Sequence, residues 1–324
     1  MNDIDIPLVD LAAWRAADAT QRQHLAARLD TALRTSGFFM IGGHGVDPGL
    51  ATDLRRAASR FFALPPVVKQ RVRTSVDGRG WIAQGDEANS YAGEEGDASR
   101  ADMKESLTFG REHTTCDDAL DAVWFRPNPW PEEVPELSVV GRRWLATIRA
   151  LYGELLEMLA VALELPTDHF TSRTANAPWT LNINRYPPLS EVGAALDGQF
   201  RVAPHTDWGV LTILDRQPGY GGLQVQTLDG VWVDAPYVEG AFTINVGDML
   251  ARWTGDRWRS TRHLVLPPSA DAPNEELISL IMFMQPDMDQ VIEPLAPPVG
   301  GGVAYPPIPA SEYYLERARA ATVG

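Results

Sequence analysis

Cysteine and long apolar runs are both scarce in this chain. The single cysteine, Cys116, cannot form an internal disulfide, which fits a reducing compartment. No apolar run approaches the roughly 20 residues of a membrane-spanning helix, and the first residues lack the basic start and apolar stretch of a signal peptide. The sequence therefore predicts a cytoplasmic protein with no membrane partner.

Positive charge is also in short supply. The 28 Lys and Arg residues are outnumbered by 43 Asp and Glu residues, which gives a net charge of −15. This charge argues against nucleic acid or an anionic membrane as a partner. Only Lys69 and Lys104 are lysines, so any other cationic site depends on arginine. The apolar content of 44% is that of an ordinary globular protein, and 324 residues can bury a large core.

The first half of the chain has the pattern of long helices. Apolar residues at helical spacing predict helices at residues 21–36, 47–63 and 137–164. Residues 37–45 predict a short strand that leads into a glycine turn. Residues 77–101 are rich in Gly, Asp, Ser and Asn and predict a long exposed loop, which in a compact enzyme often covers the active site.

After about residue 176 the pattern changes to some eight short strands separated by tight turns. Such regular spacing is typical of a jelly roll or a small barrel. We therefore expect an α+β protein with a jelly-roll core at residues 176–300. A mixed N-terminal region, residues 1–175, precedes this core, and a tail with a terminal helix, residues 301–324, follows it.

Three residues in the strand-rich half have the pattern of a metal site. His205 and Asp207 are separated by one residue, so on a strand both side chains project to the same face. His263 lies on a later predicted strand, which a barrel can bring opposite them. Two histidines and one carboxylate leave coordination positions open, an arrangement suited to iron(II) and O2. The remaining histidines have no ligand-type neighbours and are interpreted as structural or solvated; they are His24, His44, His113 and His169.

Four stretches extend this interpretation: APHTDWGVLTIL, GGLQVQ, NVGDML and STRHLVLPP. With GFFMIGGHGV, MKESLTFG and NPWPEEVPE from the first half, they resemble the isopenicillin-N-synthase-like branch of the iron(II)/2-oxoglutarate-dependent dioxygenases. The resemblance covers nearly the whole chain. It implies a double-stranded β-helix and the use of iron(II), 2-oxoglutarate and O2. It also implies oxidation of an unactivated C–H bond of a small molecule, by hydroxylation, desaturation or cyclisation. The arginine-rich, lysine-poor composition favours a role in bacterial specialised metabolism.

The resemblance also assigns roles to individual residues. It implies that the iron ligands are His205, Asp207 and His263. Asn184 and Tyr186, in NINRYPP, match an Asn-x-Tyr motif whose tyrosine commonly contacts the oxoacid. Ser279 matches the serine of the family's Arg-x-Ser motif, and we expect it to hydrogen-bond the cosubstrate.

One position departs from the family pattern. The arginine of Arg-x-Ser normally pairs with the distal carboxylate of 2-oxoglutarate, but here Leu277 stands in its place. No other alignment restores it, because no Arg or Lys occurs between Arg262 and Arg317. The arginine that usually follows the second iron histidine is also replaced, by Leu264.

Three hypotheses account for this loss. In the first, the anchoring cation has moved, and the leading barrel candidates are Arg185, Arg201 and Arg252. Arg252 is preferred, because strand alternation would place it with Leu250 on a face that is apolar in relatives, where a charge needs an anionic partner. In the second, the enzyme is an oxidase that uses O2 without 2-oxoglutarate. The least favoured is a metal-binding jelly roll without catalysis.

The substrate is expected between the mouth of the barrel and the 77–101 loop. The candidate contacts are Arg79, Trp81, Tyr91 and Arg201, although these residues could instead pack or face solvent. An arginine in this position would suit an acidic or amino-acid-like substrate. The sequence does not name the molecule or the oligomeric state.

Overall fold

The structure, a computed structural model, describes residues 5–74, 78–87, 100–113, 115, 117–268 and 271–321. Its helices, in chain order, are α1 (Leu11–Ala16), α2 (Ala19–Thr35), α3 (Pro48–Phe62), α4 (Pro66–Lys69), α5 (Asp118–Trp124), α6 (Pro135–Ala162), α7 (Leu189–Val192), α8 (Asp248–Trp253) and α9 (Ala310–Ala321). Short 3-10 turns lie at Gln70–Val72 and Thr171–Arg173. No helix in these ranges is both long and apolar enough to cross a membrane.

The strands are β1 (Leu8–Asp10), β2 (Phe38–Gly42), β3 (Gly80–Ile82), β4 (Glu105–Gly110), β5 (Trp179–Tyr186), β6 (Val202–His205), β7 (Leu211–Asp215), β8 (Leu223–Gln226), β9 (Trp232–Asp234), β10 (Phe242–Val246), β11 (His263–Val265), β12 (Leu277–Met284), β13 (Val291–Ile292) and β14 (Ile308–Pro309). An eight-stranded sheet has the order β1-β2-β10-β7-β12-β5-β4-β3, and a four-stranded sheet has the order β6-β11-β8-β9. These two sheets form the predicted jelly-roll core. The large sheet also includes β1 to β4, so the N-terminal region extends the core sheet directly.

The long helices cover one face of the large sheet. Both α2 and α3 pack against α6, whose buried stripe includes Trp144, Ile148 and Leu155. The three predicted long helices are present with small shifts at their ends. Helix α2 begins after Asp18 and not after Thr20, because Asp18 and Gln21 form a reciprocal capping box.

Two local predictions differ from the structure. The run Met249–Trp253, predicted as a strand, belongs to helix α8. Gly247 precedes this helix at a close approach of two backbones, since a Cβ there would lie 2.3 Å from the Gly209 carbonyl oxygen. The segment 77–101, predicted as a loop, contains strand β3; its residues 77 and 88–99 lie outside the described residues. The boundaries drawn at 175 and 300 stay predictions.

Candidate metal centre and active-site cavity

Strands β6 and β11 bring the predicted metal ligands together. The strands are antiparallel, with His263 directly opposite His205, and Asp207 follows two residues after the end of β6. The His205 Nε2 atom lies 3.7 Å from Asp207 Oδ1, and His263 Nε2 lies 3.8 Å from Asp207 Oδ2. One donor atom from each residue lies within 4.8 Å of the others, a spacing that can hold one metal ion.

Hydrogen bonds fix the orientation of all three side chains. The Nδ1 atom of His205 lies 2.8 Å from the Ala203 carbonyl oxygen, and Nδ1 of His263 lies 3.1 Å from the Thr261 carbonyl oxygen. Both rings therefore donate through Nδ1 and leave the Nε2 lone pair for a metal.

The carboxylate of Asp207 has two buried donors of its own. Asn245 Nδ2 donates to Asp207 Oδ2 at 2.7 Å, and the Thr212 hydroxyl donates to the same oxygen. Oδ1 receives neither of these bonds and faces Nε2 of His205, so the two carboxylate oxygens have different surroundings.

The electrostatics of the three groups suit a metal. Burial and the neighbouring His263 lower the pKa of His205 to about 3, so its ring is neutral at physiological pH. Burial opposes the charge of Asp207, but the two histidines and its hydrogen-bond donors hold its pKa below the ordinary value. Two imidazoles and one carboxylate are the donor set of non-haem iron(II) oxygenases, and the set leaves room for further ligands.

The three residues open into a cavity of about 280 Å³ between the two sheets. Strand alternation supplies its walls: β5 contributes even-numbered residues from Thr180 to Tyr186, and β12 contributes odd-numbered residues from Leu277 to Phe283. Thr180 and Tyr186 are six residues apart, so they lie about 20 Å apart along the strand. The cavity therefore has two separate ends.

The Tyr186 end of the cavity, formed by Asn184, Tyr186, Leu277 and Ser279, contains the predicted cosubstrate residues. Tyr186 pairs with Leu277 and Asn184 with Ser279 across β5 and β12. Asn184 Oδ1 accepts from the Ser106 hydroxyl at 2.8 Å, and its Nδ2 lies 3.5 Å from the Tyr186 hydroxyl. These buried polar groups are held in place by the register of the sheet.

The aromatic end, formed by Trp124, Arg126, Trp208 and Tyr314, was not predicted from the sequence. The Tyr314 ring packs edge-on against both tryptophans, with ring centroids 5.3 Å from Trp124 and 5.5 Å from Trp208. Arg126 is exposed and lines the same opening. These residues lie in loops, in α5 and in α9, far apart in the sequence. No sequence pattern indicates that they come together at one end of the cavity.

Helix α9 is fixed next to the metal centre. Arg317 Nη2 donates to Asp248 Oδ2 and, at 3.3 Å, to the hydroxyl of Thr206, which lies between His205 and Asp207 in the chain. The Asp248 amide in turn donates to the Asp207 carbonyl oxygen at 2.7 Å. This contact places Tyr314 and Leu315 at the cavity wall.

The structure corrects the expected roles of two arginines. Arg252 lies on α8 and not on a strand; it donates to the Pro306 carbonyl oxygen at 2.7 Å and stacks on Tyr305, away from the cavity of the triad. Arg201 is buried and forms an ion pair with Glu275 at 2.9 Å, so its charge is already neutralised. Neither residue lines the cavity.

The other predicted substrate residues have different positions. Arg79 lines the cavity near its aromatic end, where its Nη2 donates to the carbonyl oxygens of Arg111 and Trp124. Burial, with the nearby charge of Arg126, lowers the pKa of Arg79 to about 10. Trp81 is buried and donates to Glu105 at 2.8 Å, so it packs and does not line the cavity. Tyr91 lies outside the described residues.

Comparisons with known proteins agree with this geometry. Residues 6–133 match the family described as non-haem dioxygenase in morphine synthesis N-terminal, and residues 178–286 match the 2OG-Fe(II) oxygenase superfamily. The chain is 43% identical to validamycin A dioxygenase of Streptomyces hygroscopicus subsp. limoneus, over 96% of this chain and 85% of that protein. It is 28% identical to homoarginine-6-hydroxylase of Glycine max, over 90% and 88% of the two chains.

Solved structures give the same result. A full-length Neurospora crassa protein, solved in complex with alpha-KG and thymine, matches 99% of this chain and 98% of its own with a TM-score of 0.85 and 27% identity. The predicted fold and the predicted use of iron(II), 2-oxoglutarate and O2 are confirmed. An oxidase that does without 2-oxoglutarate is not favoured. The chain belongs to the 2OG-Fe(II) oxygenase superfamily, as an oxygenase that acts on a small molecule.

Proposed function

We propose that this enzyme oxidises a C–H bond of a polar, ring-containing small molecule of the validamycin A kind, and that His205, Asp207 and His263 hold its iron. The observation that carries the proposal is the convergence of these three side chains on one wall of a cavity with two chemically different ends. One end suits an oxoacid, and the other suits a ring with hydrogen-bonding groups.

The residues would divide the work as follows. Iron(II), when bound, would activate O2, and 2-oxoglutarate would provide electrons for this activation. The two histidines and the carboxylate of Asp207 would hold the ion and would leave coordination positions open for other ligands. Tyr186, Asn184 and Ser279 would hydrogen-bond the oxoacid at the Tyr186 end. Asn184, Tyr186 and Asp207 are buried, and this burial would limit the access of bulk water to the reacting groups.

The aromatic end supports a polar substrate with a ring. Trp124, Trp208 and Tyr314 offer flat surfaces for packing. Within the part of the chain that the structure describes, Gln285 Oε1 and Trp179 Nε1 are buried without hydrogen-bond partners. Both residues line the cavity, so these atoms can bind polar groups of a ligand. The similarity to validamycin A dioxygenase over nearly the whole chain makes validamycin A the first molecule to test.

An acidic or amino-acid-like substrate is the second candidate. The guanidinium groups of Arg79 and Arg126 are close enough to repel each other at the aromatic end, and an anion between them would relieve that repulsion. The similarity to homoarginine-6-hydroxylase is consistent with this class. We rank it second because its supporting relative is the more distant of the two.

The experiment is a turnover assay with purified enzyme, iron(II), 2-oxoglutarate and one candidate substrate. Validamycin A should gain one oxygen atom, or lose two hydrogen atoms, with matched formation of succinate. Homoarginine and thymine serve as comparison substrates. Turnover of homoarginine but not of validamycin A would replace the first candidate with the second. We also propose a cytoplasmic location, on the basis of the single cysteine.

A further inference from the structure

The cosubstrate carries a second carboxylate at the end of its carbon chain remote from the 2-oxo acid group. With the 2-oxo acid group at the metal, this carboxylate would reach into the Tyr186 end of the cavity. Burial of a carboxylate there is unfavourable unless a cation pairs with it. Leu277, whose position places its side chain at this end, supplies none.

Most cations near this end already have carboxylate partners. Lys104 lines the cavity but forms a buried ion pair with Glu87. Arg201 is paired with Glu275, and Arg185 is paired with three glutamates. A further carboxylate would have to compete with the existing partner at each of these sites.

Arg216 is different. We propose that Arg216 binds the remote carboxylate of 2-oxoglutarate in place of the arginine whose position Leu277 occupies. Its side chain lines the cavity, on the same face of the strand as Thr212 and Leu214. Leu280 on β12 pairs with Asp215 on β7, so continuing the ladder by one residue places Arg216 beside Ser279.

The surroundings of Arg216 leave its charge available. Its Nη1 donates to the Pro236 carbonyl oxygen at 2.9 Å, and the guanidinium lies over the Tyr237 ring at 5.5 Å. These two contacts orient the group without neutralising it. Within the described residues Arg216 has no carboxylate partner, and Nε and Nη2 make no hydrogen bond.

Two further features favour an anion at this point. Gly221, which also lines the cavity, has φ of +65°, and a Cβ there would lie 3.5 Å from Nη2 of Arg216. The glycine therefore leaves space beside the free edge of the guanidinium. Burial lowers the pKa of Arg216, and the nearby tyrosines Tyr237 and Tyr186 counteract this effect in part. A bound carboxylate would supply the missing opposite charge.

The test is a titration of the full-length, iron(II)-loaded protein with 2-oxoglutarate in the absence of O2. Binding is measured by the visible charge-transfer absorption that appears when 2-oxoglutarate chelates the metal. Arg216→Ala should weaken 2-oxoglutarate binding by on the order of 100-fold, the expected effect of removing one partner of a desolvated charge pair. Iron binding should be unchanged. The matched control is Arg126→Ala, another cavity-lining arginine, which should leave 2-oxoglutarate affinity within about twofold of the parent.

A second oxoacid separates anchoring from a general loss of shape. The probe 2-oxobutyrate chelates iron in the same way but has no second carboxylate. Arg216→Ala should change its affinity by less than about threefold, since this probe makes no ion pair with the arginine. Arg216→Gln, which keeps a donor for the Pro236 carbonyl, should show the same selective loss and guards against a folding defect in the alanine variant.

A transplanted charge completes the test. Adding Leu277→Arg to Arg216→Ala should recover at least about tenfold of the lost 2-oxoglutarate affinity, because it returns a guanidinium to the same end of the cavity. Unchanged 2-oxoglutarate affinity in both Arg216 variants would overturn the proposal. So would an equal loss of affinity for both oxoacids, which would show that Arg216 shapes the cavity and does not bind the second carboxylate.

Discussion

The two ends of the cavity are built in different ways. The Tyr186 end consists of alternate residues on paired strands, so the register of one sheet positions Asn184, Tyr186 and Ser279 together. The aromatic end consists of side chains from loops and two helices, α5 and α9, which no common ladder connects. A rigid sheet suits a cosubstrate that is the same in every turnover, whereas loop and helix residues can differ without disturbing it.

The candidate metal centre lines the same cavity as both ends, and its loss should remove the function of both. Asp207→Ala deletes the carboxylate donor and leaves two histidines, which is too few for a stable iron(II) site of this type. Iron binding and turnover should both be abolished, as measured by metal analysis and by succinate formation. Asp197→Ala, at an exposed position, is the control. Retained turnover in Asp207→Ala would disprove the assignment of the three ligands.

A smaller effect is expected for a residue that supports Asp207 by a hydrogen bond and is not itself a predicted metal ligand. Asn245→Ala removes the buried amide that donates to Asp207 Oδ2. Loss of such a supporting hydrogen bond typically weakens metal affinity about 10- to 100-fold. The loss of metal affinity is measured as an increase in the dissociation constant for iron(II). Thr243→Ala, a buried polar residue on the same strand, is the control, and equal losses in the two variants would point to a general weakening of β10.

The next variant tests whether the two ends are independent. Arg126→Ala removes an exposed charge at the aromatic end, and exposed ion pairs contribute about 0.2–1 kcal/mol. The KM for an anionic substrate should therefore rise by up to about fivefold, while the affinity for 2-oxoglutarate stays unchanged. Steady-state kinetics with each reactant varied in turn provide the measurement. A parallel change in both constants would contradict the separation of the ends.

The smallest effect is expected for Arg252→Ala. The sequence pattern predicts Arg252 on a strand and favours it as the cation that anchors 2-oxoglutarate, so it predicts a large effect for the loss of Arg252. Its guanidinium contacts Pro306 and Tyr305 on another face of the protein and shares no partner with the cavity. The affinity for 2-oxoglutarate should stay within about twofold of the parent. The same anaerobic absorption titration measures it, and a sharp loss of affinity would restore the original hypothesis.

The placement of His205 and Asp207 on one side of the candidate metal centre could be predicted because its signal is local. A histidine and an aspartate one residue apart share a face of a strand whatever the rest of the chain does. The strands of the core could also be predicted, since turn residues separate them at regular intervals.

The anchoring cation could not be found in the same way. Leu250 and Arg252 alternate as they would on a strand, but six residues are too few to separate a strand from a short helix by period alone. The partner of Arg201, Glu275, lies 74 residues away, and no local pattern reveals that pairing. Arg216 did have a signal, the alternation Thr212, Leu214, Arg216, but it lies just past the end of its strand.

The contact of Arg317 with Asp248 and Thr206 has a consequence for engineering. It anchors the terminal helix beside the candidate metal centre, while Tyr314 and Leu315 on the same helix line the cavity. Under the proposed function, the residues that contact the substrate and the residue that attaches the helix would thus lie on one short segment. If α9 were replaced by the corresponding helix of a relative and Arg317 were retained, the cavity wall at Tyr314 and Leu315 would change while the candidate metal centre would stay the same.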